Sequence, residues 1–189
     1  MKNEQRTGHR QLRIAYFYQV NINVSIALAT PEDAAGIAKV ISEAAADLTT
    51  KYGQGHWSAV ASEKGVLNGM SKCKVLVAKS GAEVVGTLRL SSSRPWVIDP
   101  AYFTPVPRPV YLVDMAVGPG FQRIGVGRAL IEQAKAMATA LAGDSLRLDA
   151  YEGVAGAGGF YEKCGFTEMG HILYKKVPHV YYEWLIEKK

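Results

Sequence analysis

The chain has 189 residues, of which 48% are hydrophobic and 21% are charged, and its formal net charge is +5. This balance excludes a disordered chain and is typical of one globular domain with its own core. Two cysteines are too few for a disulfide framework, and the four histidines lack ligand-like spacing, so we expect no metal. The positive charge suits an anionic ligand, but without a dense run of Lys and Arg nucleic acid is not favoured.

The N-terminal segment carries the least information. We treat residues 1–22 as an N-terminal extension of unknown role and residues 23–189 as a single domain. The basic segment Met1–Arg13 and the apolar stretch after it superficially resemble a signal peptide, but polar residues such as Gln19 and Asn21 interrupt that stretch. We therefore expect a cytoplasmic protein with no membrane partner. The sequence does not decide whether the protein forms a homodimer.

The first half of the domain predicts a strand, a helix and a hairpin. Apolar residues alternate with small or polar ones over residues 24–28, which indicates a strand with one buried face. The segment Thr30–Asp33 then has the cap, the proline and the acidic residue that begin a helix. Residues 52–67 are irregular before a second helix, and residues 75–90 predict a hairpin. Gly86 in its second arm indicates a bulge or a close backbone approach.

The second half begins with five prolines within residues 91–109, which indicate an ordered loop. The apolar residues 111–117 predict a mostly buried strand, and residues 126–141 predict an amphipathic helix. Further elements are a strand at 146–151, a short helix ending at Cys164–Gly165, and an antiparallel pair at 172–175 and 180–185. This order predicts an α/β (mixed α+β) fold, with helices on both faces of a mixed sheet.

A glycine-containing turn, Gln122-Arg123-Ile124-Gly125-Val126-Gly127, joins the strand at 111–117 to the amphipathic helix. Glycines allow close backbone approach, and the free amides of a first helical turn favour an anion such as a pyrophosphate. Arg123 and Arg128 add positive charge there. No Gly-Lys-Ser/Thr follows, which excludes a P-loop. A dinucleotide-binding turn is disfavoured because Leu130 stands where the third glycine or alanine belongs.

A second signature lies downstream, where Ala157–Phe166 reads Ala-Gly-Gly-Phe-Tyr-Glu-Lys-Cys-Gly-Phe. With both signatures, the chain resembles the GNAT N-acetyltransferases over residues 24–185. The resemblance implies the acyl-CoA N-acyltransferase fold, with a mixed, mostly antiparallel sheet flanked by helices. It also implies acetyl-CoA as co-substrate, without a metal, and transfer of the acetyl group to a primary amine by direct attack.

The resemblance also implies site residues. Tyr161 matches the family tyrosine that protonates the CoA thiolate, and Val154 stands where many members carry an asparagine that touches the cofactor arm. The arm itself pairs with the strand positions matched by Met115, Ala116 and Val117. The pyrophosphate is held, mainly through backbone amides, by Gln122, Arg123, Ile124, Gly125, Val126, Gly127 and Arg128.

Several roles stay open on the sequence alone. Asp114 on the central strand is a candidate general base, but it is equally well explained as a structural carboxylate. Glu152 and His56 are weaker candidates for the base. Water can also relay the proton. The amine acceptor is not identified. Five loop residues are candidates for lining the acceptor site, although packing of the loops explains their presence equally well. They are His56, Trp57, Arg94, Trp96 and Tyr102.

The alternative function is a binding module of the same fold that senses acetyl-CoA without turning it over. The valine at position 154 is compatible with such a sensor. Tyr161 argues against it, because a pure binder needs no proton donor.

Overall fold

Seven strands and four α-helices follow one another along residues 23–187, the part of the chain that the computed structural model describes. The strands are β1 Val24–Leu28, β2 Lys74–Ser80, β3 Glu83–Ser91, β4 Pro109–Val117, β5 Ser145–Tyr151, β6 Thr167–Tyr174 and β7 Val177–Leu185. The helices are α1 Ala34–Tyr52, α2 Glu63–Met70, α3 Val126–Ala140 and α4 Gly158–Lys163.

The strands form one sheet in the order β1-β2-β3-β4-β5-β7-β6. Neighbouring strands are antiparallel except β4 and β5, which run parallel. The predicted mixed, mostly antiparallel sheet is therefore confirmed.

Helices cover both faces of the sheet because the strand side chains alternate. On β2, Val75 and Val77 pack in the cluster that includes α1 and α2, whereas Leu76 and Ala78 pack in the main core with α3. Leu130 of α3 is fully buried there. Gly86 sits under α3, where an added Cβ would come within 3.1 Å of the Leu130 side chain, and the β2–β3 register shifts beside it.

The central strands β4 and β5 separate after a short parallel stretch. They pair only between Pro109–Tyr111 and Ser145–Arg147. The pairing of β4 with β3 shifts register at Val113, which indicates a bulge at that point. A gap therefore opens between β4 and β5 beyond residue 111, and one edge of β4 faces it.

The proline-containing segment between β3 and β4 is ordered, as predicted. Its residues Ile98 and Phe103 are buried against Tyr111 and Tyr181, on the sheet face opposite α3. Beneath it, a buried ion pair joins Arg147 Nε to Glu183 Oε1 at 2.8 Å. Glu183 Oε2 also accepts a hydrogen bond from the Thr104 amide, which holds the segment to the sheet.

The last hairpin differs from the prediction of a strand at 172–175. The strand β6 begins five residues earlier, at Thr167, and Lys175 lies in the turn. Lys175 and Lys176 have φ values of 50° and 68°, a conformation that lysine rarely adopts and that its sequence does not signal. The expected stop of α4 at Gly165, with φ of 82°, is confirmed.

The N-terminal extension 1–22 is outside the described residues. No helix within residues 23–187 has the length and apolar character needed to cross a membrane. The cytoplasmic location and the homodimer stay predictions.

Candidate active site

The turn before α3 has the backbone geometry of an anion-binding loop. Arg123 and Gly125 have left-handed φ values of 60° and 99°, Gln122 before them is extended, and the right-handed helix α3 begins at Val126. Left-handed residues next to a helix start turn successive amides towards one concavity. Within the described residues, none of the amides from Arg123 to Arg128 donates to a backbone carbonyl. The first amide of α3 that does so is that of Ala129, which donates to the Gly125 carbonyl. The turn therefore presents free donors at a helix N-terminus.

Side chains brace this turn on both sides. Gln122 Nε2 donates to the Val117 carbonyl at 3.1 Å, and Arg128 Nη2 donates to the Lys163 carbonyl of α4 at 2.9 Å. An added Cβ on Gly127 would come within 3.3 Å of both Met115 and Phe160. The turn is thus held against β4 and α4, the elements that border the gap in the sheet.

The segment Met115–Val117 lies on β4 along this gap. On one side Ala116 pairs with Thr87 of β3, and on the other side β5 has already diverged. That free edge runs from the bulge at Val113 towards the turn at Gln122. An extended ligand lying in the gap can therefore pair with β4 as an added strand.

Tyr161 of α4 belongs to the main core on the α3 face of the sheet. It is 7% exposed, and its ring packs edge-on against Phe160 and Phe166 at centroid distances of 5.3 and 5.9 Å. Burial, with a smaller effect of the charge on Asp149, raises the pKa of the Tyr161 hydroxyl well above that of a free phenol. The hydroxyl therefore stays protonated at any working pH.

A cleft of about 480 Å³ lies on the opposite face, between α1, α2 and the sheet. Its floor carries an ion pair between Arg89 of β3 and Asp114 of β4, which the β3–β4 register places opposite each other. Desolvation raises the pKa of the Asp114 carboxyl, and the charge of Arg89 opposes this rise. The walls are mostly apolar and include Ile37, Ile41, Ala45, Leu48, Val66 and Met115.

Aromatic rings connect this cleft to β5 and β7. Trp57, which lines the cleft, lies 5.2 Å from the ring of Tyr151, and His56 lies 4.8 Å from the same ring. His56 is also 5.7 Å from His179. Burial and the neighbouring His179 lower the pKa of His56. His179 Nδ1 forms a hydrogen bond of 2.8 Å with Asp149 Oδ2.

A family comparison connects this geometry to known proteins. The model of the acetyltransferase (GNAT) family matches residues 42–166, about two thirds of the chain. The chain belongs to the GNAT acetyltransferase family. The predicted family and fold are confirmed, and family membership supports an acyltransferase. A comparison with curated protein sequences found no significant match.

Solved GNAT structures share the fold at low sequence identity. A GNAT acetyltransferase from Listeria monocytogenes has a TM-score of 0.69 at 16% identity, over 90% of this chain and 99% of that one. A proposed acetyltransferase from Salmonella typhimurium, solved with acetyl-CoA, has a TM-score of 0.66 at 16% identity, over 88% and 96%. The ribosomal-protein-S18-alanine N-acetyltransferase from Escherichia coli has a TM-score of 0.65 at 17% identity, over 88% and 96%.

The GNAT fold gathers only some of the predicted acceptor residues. It brings His56 and Trp57 to the site. Arg94 instead donates to the Ile98 carbonyl of its own loop at 2.9 Å, and Trp96 is 96% exposed. Neither lines the cleft, and Tyr102 packs on Tyr181, so a role for these three in binding the acceptor stays a prediction.

Sequence reasoning missed four residues of this site. Arg89, Asp149, Tyr151 and His179 come from three strands, and pairing between strands brings them together. Asp149 and His179 are thirty positions apart in the chain. No spacing within the sequence could have joined them.

Val154, which replaces the usual asparagine, is 85% exposed in the segment before α4. Its side chain is therefore not part of the packed core. Its effect on the cofactor arm stays a prediction.

Proposed function

We propose that this GNAT protein is an N-acetyltransferase that moves the acetyl group of acetyl-CoA to a primary amine by direct attack. One observation carries the proposal. The turn at residues 123–128 presents free amides beside the unpaired edge of β4, and the sheet at this point has the core with Tyr161 on one face and the cleft on the other.

The backbone of Gln122–Arg128 would hold the pyrophosphate of acetyl-CoA. The left-handed φ values of Arg123 and Gly125 at the start of α3 support this, because converging amides match the oxygens of a diphosphate. The edge of β4 at Met115–Val117 would then hydrogen-bond the pantetheine arm and place the thioester near the bulge. An amide freed there would polarise the thioester carbonyl.

Tyr161 would act as the general acid. Its raised pKa keeps the proton on the hydroxyl until the C–S bond breaks, when the departing sulfur becomes basic enough to take it. The surrounding rings of Phe160, Phe166 and Tyr182 fix the orientation of the phenol.

The amine acceptor would enter through the cleft. The apolar walls favour an amine that carries an apolar group, and His56 and Trp57 would close one side of it. The carboxylate of Asp114 at the floor would attract the ammonium group, and Asp114 stays a candidate base on this reading.

A thiol-release assay over a panel of primary amines, combined with calorimetry of acetyl-CoA binding, tests the proposal. We expect Tyr161→Phe to lower kcat by a factor of about 10² to 10⁴ while the Kd for acetyl-CoA changes less than about threefold. Tyr182→Phe is the matched control, because it removes a hydroxyl from the same ring cluster. Its kcat should stay near the native value.

Each contrary result has a distinct meaning. Undiminished turnover by Tyr161→Phe would remove the acid role. Binding of acetyl-CoA without thiol release for any amine would favour the sensor. A folded chain that does not bind acetyl-CoA would refute both functions.

A further inference from the structure

A hydrogen-bonded Asp–His pair at the gap between β4 and β5 has no part in the mechanism above. We propose that His179 is the general base that takes the proton from the acceptor's ammonium group, with Asp149 as its positioning residue. This inference rests on the proposed acetyltransferase function and names the base that the sequence left open.

Strand pairing explains why these two side chains meet. The strands β5 and β7 are antiparallel, with Tyr151 opposite His179 and Asp149 opposite Tyr181. Their neighbours Ala150 and Val180 point into the core with α3, so Asp149 and His179 project to the opposite face. That face carries the acceptor cleft and the segment with His56. The pair therefore faces the acceptor side of the gap.

The hydrogen bond determines which nitrogen of His179 can act as a base. An ionised carboxylate only accepts, so Nδ1 must donate to Asp149 Oδ2 across the 2.8 Å bond. In the neutral ring the lone pair is then on Nε2. The side chain of His179 is 11% exposed, which leaves access for a ligand atom and holds the ring in place.

Few other groups face His179. His56 approaches from the loop after α1, Tyr174 from β6 at a centroid distance of 6.3 Å, and Tyr151 from β5. Apart from Asp149, none of these carries a negative charge at neutral pH. The Asp149 carboxylate is thus the group that stabilises a protonated His179.

Electrostatics places Asp149 between the two halves of the site. Its charge contributes to the raised pKa of Tyr161 on one face and to that of Asp114 on the other. The Asp149–His179 pair therefore lies between the core that contains Tyr161 and the cleft whose floor carries Asp114.

The other carboxylates are less suited to the role. Asp114 is engaged by Arg89. Glu152 pairs with the exposed His171 at 3.1 Å, away from the cleft lining.

The proton balance needs no further reactant. His179 Nε2 takes one proton from the ammonium and later releases it to solvent. The freed lone pair of the amine forms the C–N bond at the thioester carbonyl, and the C–S electron pair leaves with sulfur as that bond breaks. Tyr161 gives its proton to the sulfur and regains one from the nitrogen, which yields the amide and the free thiol.

The test is the pH dependence of kcat/KM for thiol release, with native chain, His179→Gln, Asp149→Asn and the control His171→Gln. His171 also pairs with carboxylates, Glu152 and Glu168, but lies exposed outside the cleft. We expect His179→Gln to lower kcat/KM about 10² to 10³-fold at pH 7 and to remove the inflection that loss of a proton from the base gives the native profile. His171→Gln should keep the native profile.

Two further measurements separate a chemical role from a structural one. O-Methylhydroxylamine is unprotonated at pH 7 and needs no base, so the deficit of His179→Gln should shrink at least tenfold with this acceptor. The Kd for acetyl-CoA should stay within about threefold of the native value. If His179→Gln does not fold, Asp149→Asn provides the test instead. The amide of the introduced asparagine favours the His179 tautomer with the proton on Nε2, which removes the lone pair that the base needs.

Each outcome decides the assignment. If His179→Gln folds and its pH profile keeps the native inflection, His179 is not the base. The same follows if the inflection shifts only in Asp114→Asn. Those results leave the acetyltransferase intact. A native chain that binds acetyl-CoA but acetylates no amine overturns the base and the transferase together.

Discussion

Gly125→Ala tests the anion-binding turn before α3. Gly125 has φ of 99° at the N-cap of α3, and a Cβ at that angle strains the backbone by about 1 to 3 kcal/mol. The turn can relax only by rotating its amides out of the concavity. We therefore expect the substitution to impair ligand binding as well as stability.

The magnitude follows from the hydrogen bonds at risk. A hydrogen bond to a charged group contributes about 1.5 to 3 kcal/mol, and each 1.4 kcal/mol changes Kd tenfold. Loss of one amide bond to the diphosphate would thus weaken acetyl-CoA binding about 10- to 150-fold. Gly120→Ala is the matched control, because Gly120 lies five residues earlier in the same connection, has no positive φ and has no atom within 4 Å of an added Cβ.

Isothermal calorimetry with acetyl-CoA measures the binding, and urea unfolding measures the stability. Gly120→Ala should differ from the native chain by less than about threefold in Kd. If Gly125→Ala binds as tightly as Gly120→Ala, the turn does not hold the pyrophosphate.

Two predictions concern stability. Glu183→Gln leaves the buried Arg147 guanidinium without its counter-charge, so urea unfolding should show a loss of about 3 to 5 kcal/mol, and a loss under 1 kcal/mol would contradict this. Burial alone would raise the pKa of Asp33, but hydrogen bonds from Lys79 and the Thr30 amide bring it below its usual range. Stability from Asp33 is then present above the pKa of the unfolded state and is lost as pH falls through the lower folded value. The stability difference between native and Asp33→Asn chains should therefore shrink between pH 5 and pH 2, and a constant difference would disprove the linkage.

Local patterns in the sequence were sufficient for most of the fold. Three of these patterns depend only on residues close together in the chain. They are the alternation at residues 24–28, the capping residues at Thr30–Asp33 and the apolar stripe of residues 126–141. The turn at Lys175–Lys176 was missed because its left-handed backbone is imposed by the pairing of β6 with β7 rather than by a turn-forming sequence.

The turn proposed to bind acetyl-CoA and the acid candidate belong to contiguous segments, so the sequence by itself determined where both lie. The side of the site proposed for the acceptor was decided by tertiary structure alone. Arg89 meets Asp114 across β3 and β4, and Asp149 meets His179 across β5 and β7. Strand register brings such pairs within hydrogen-bond distance, and register depends on which residues the whole sheet buries.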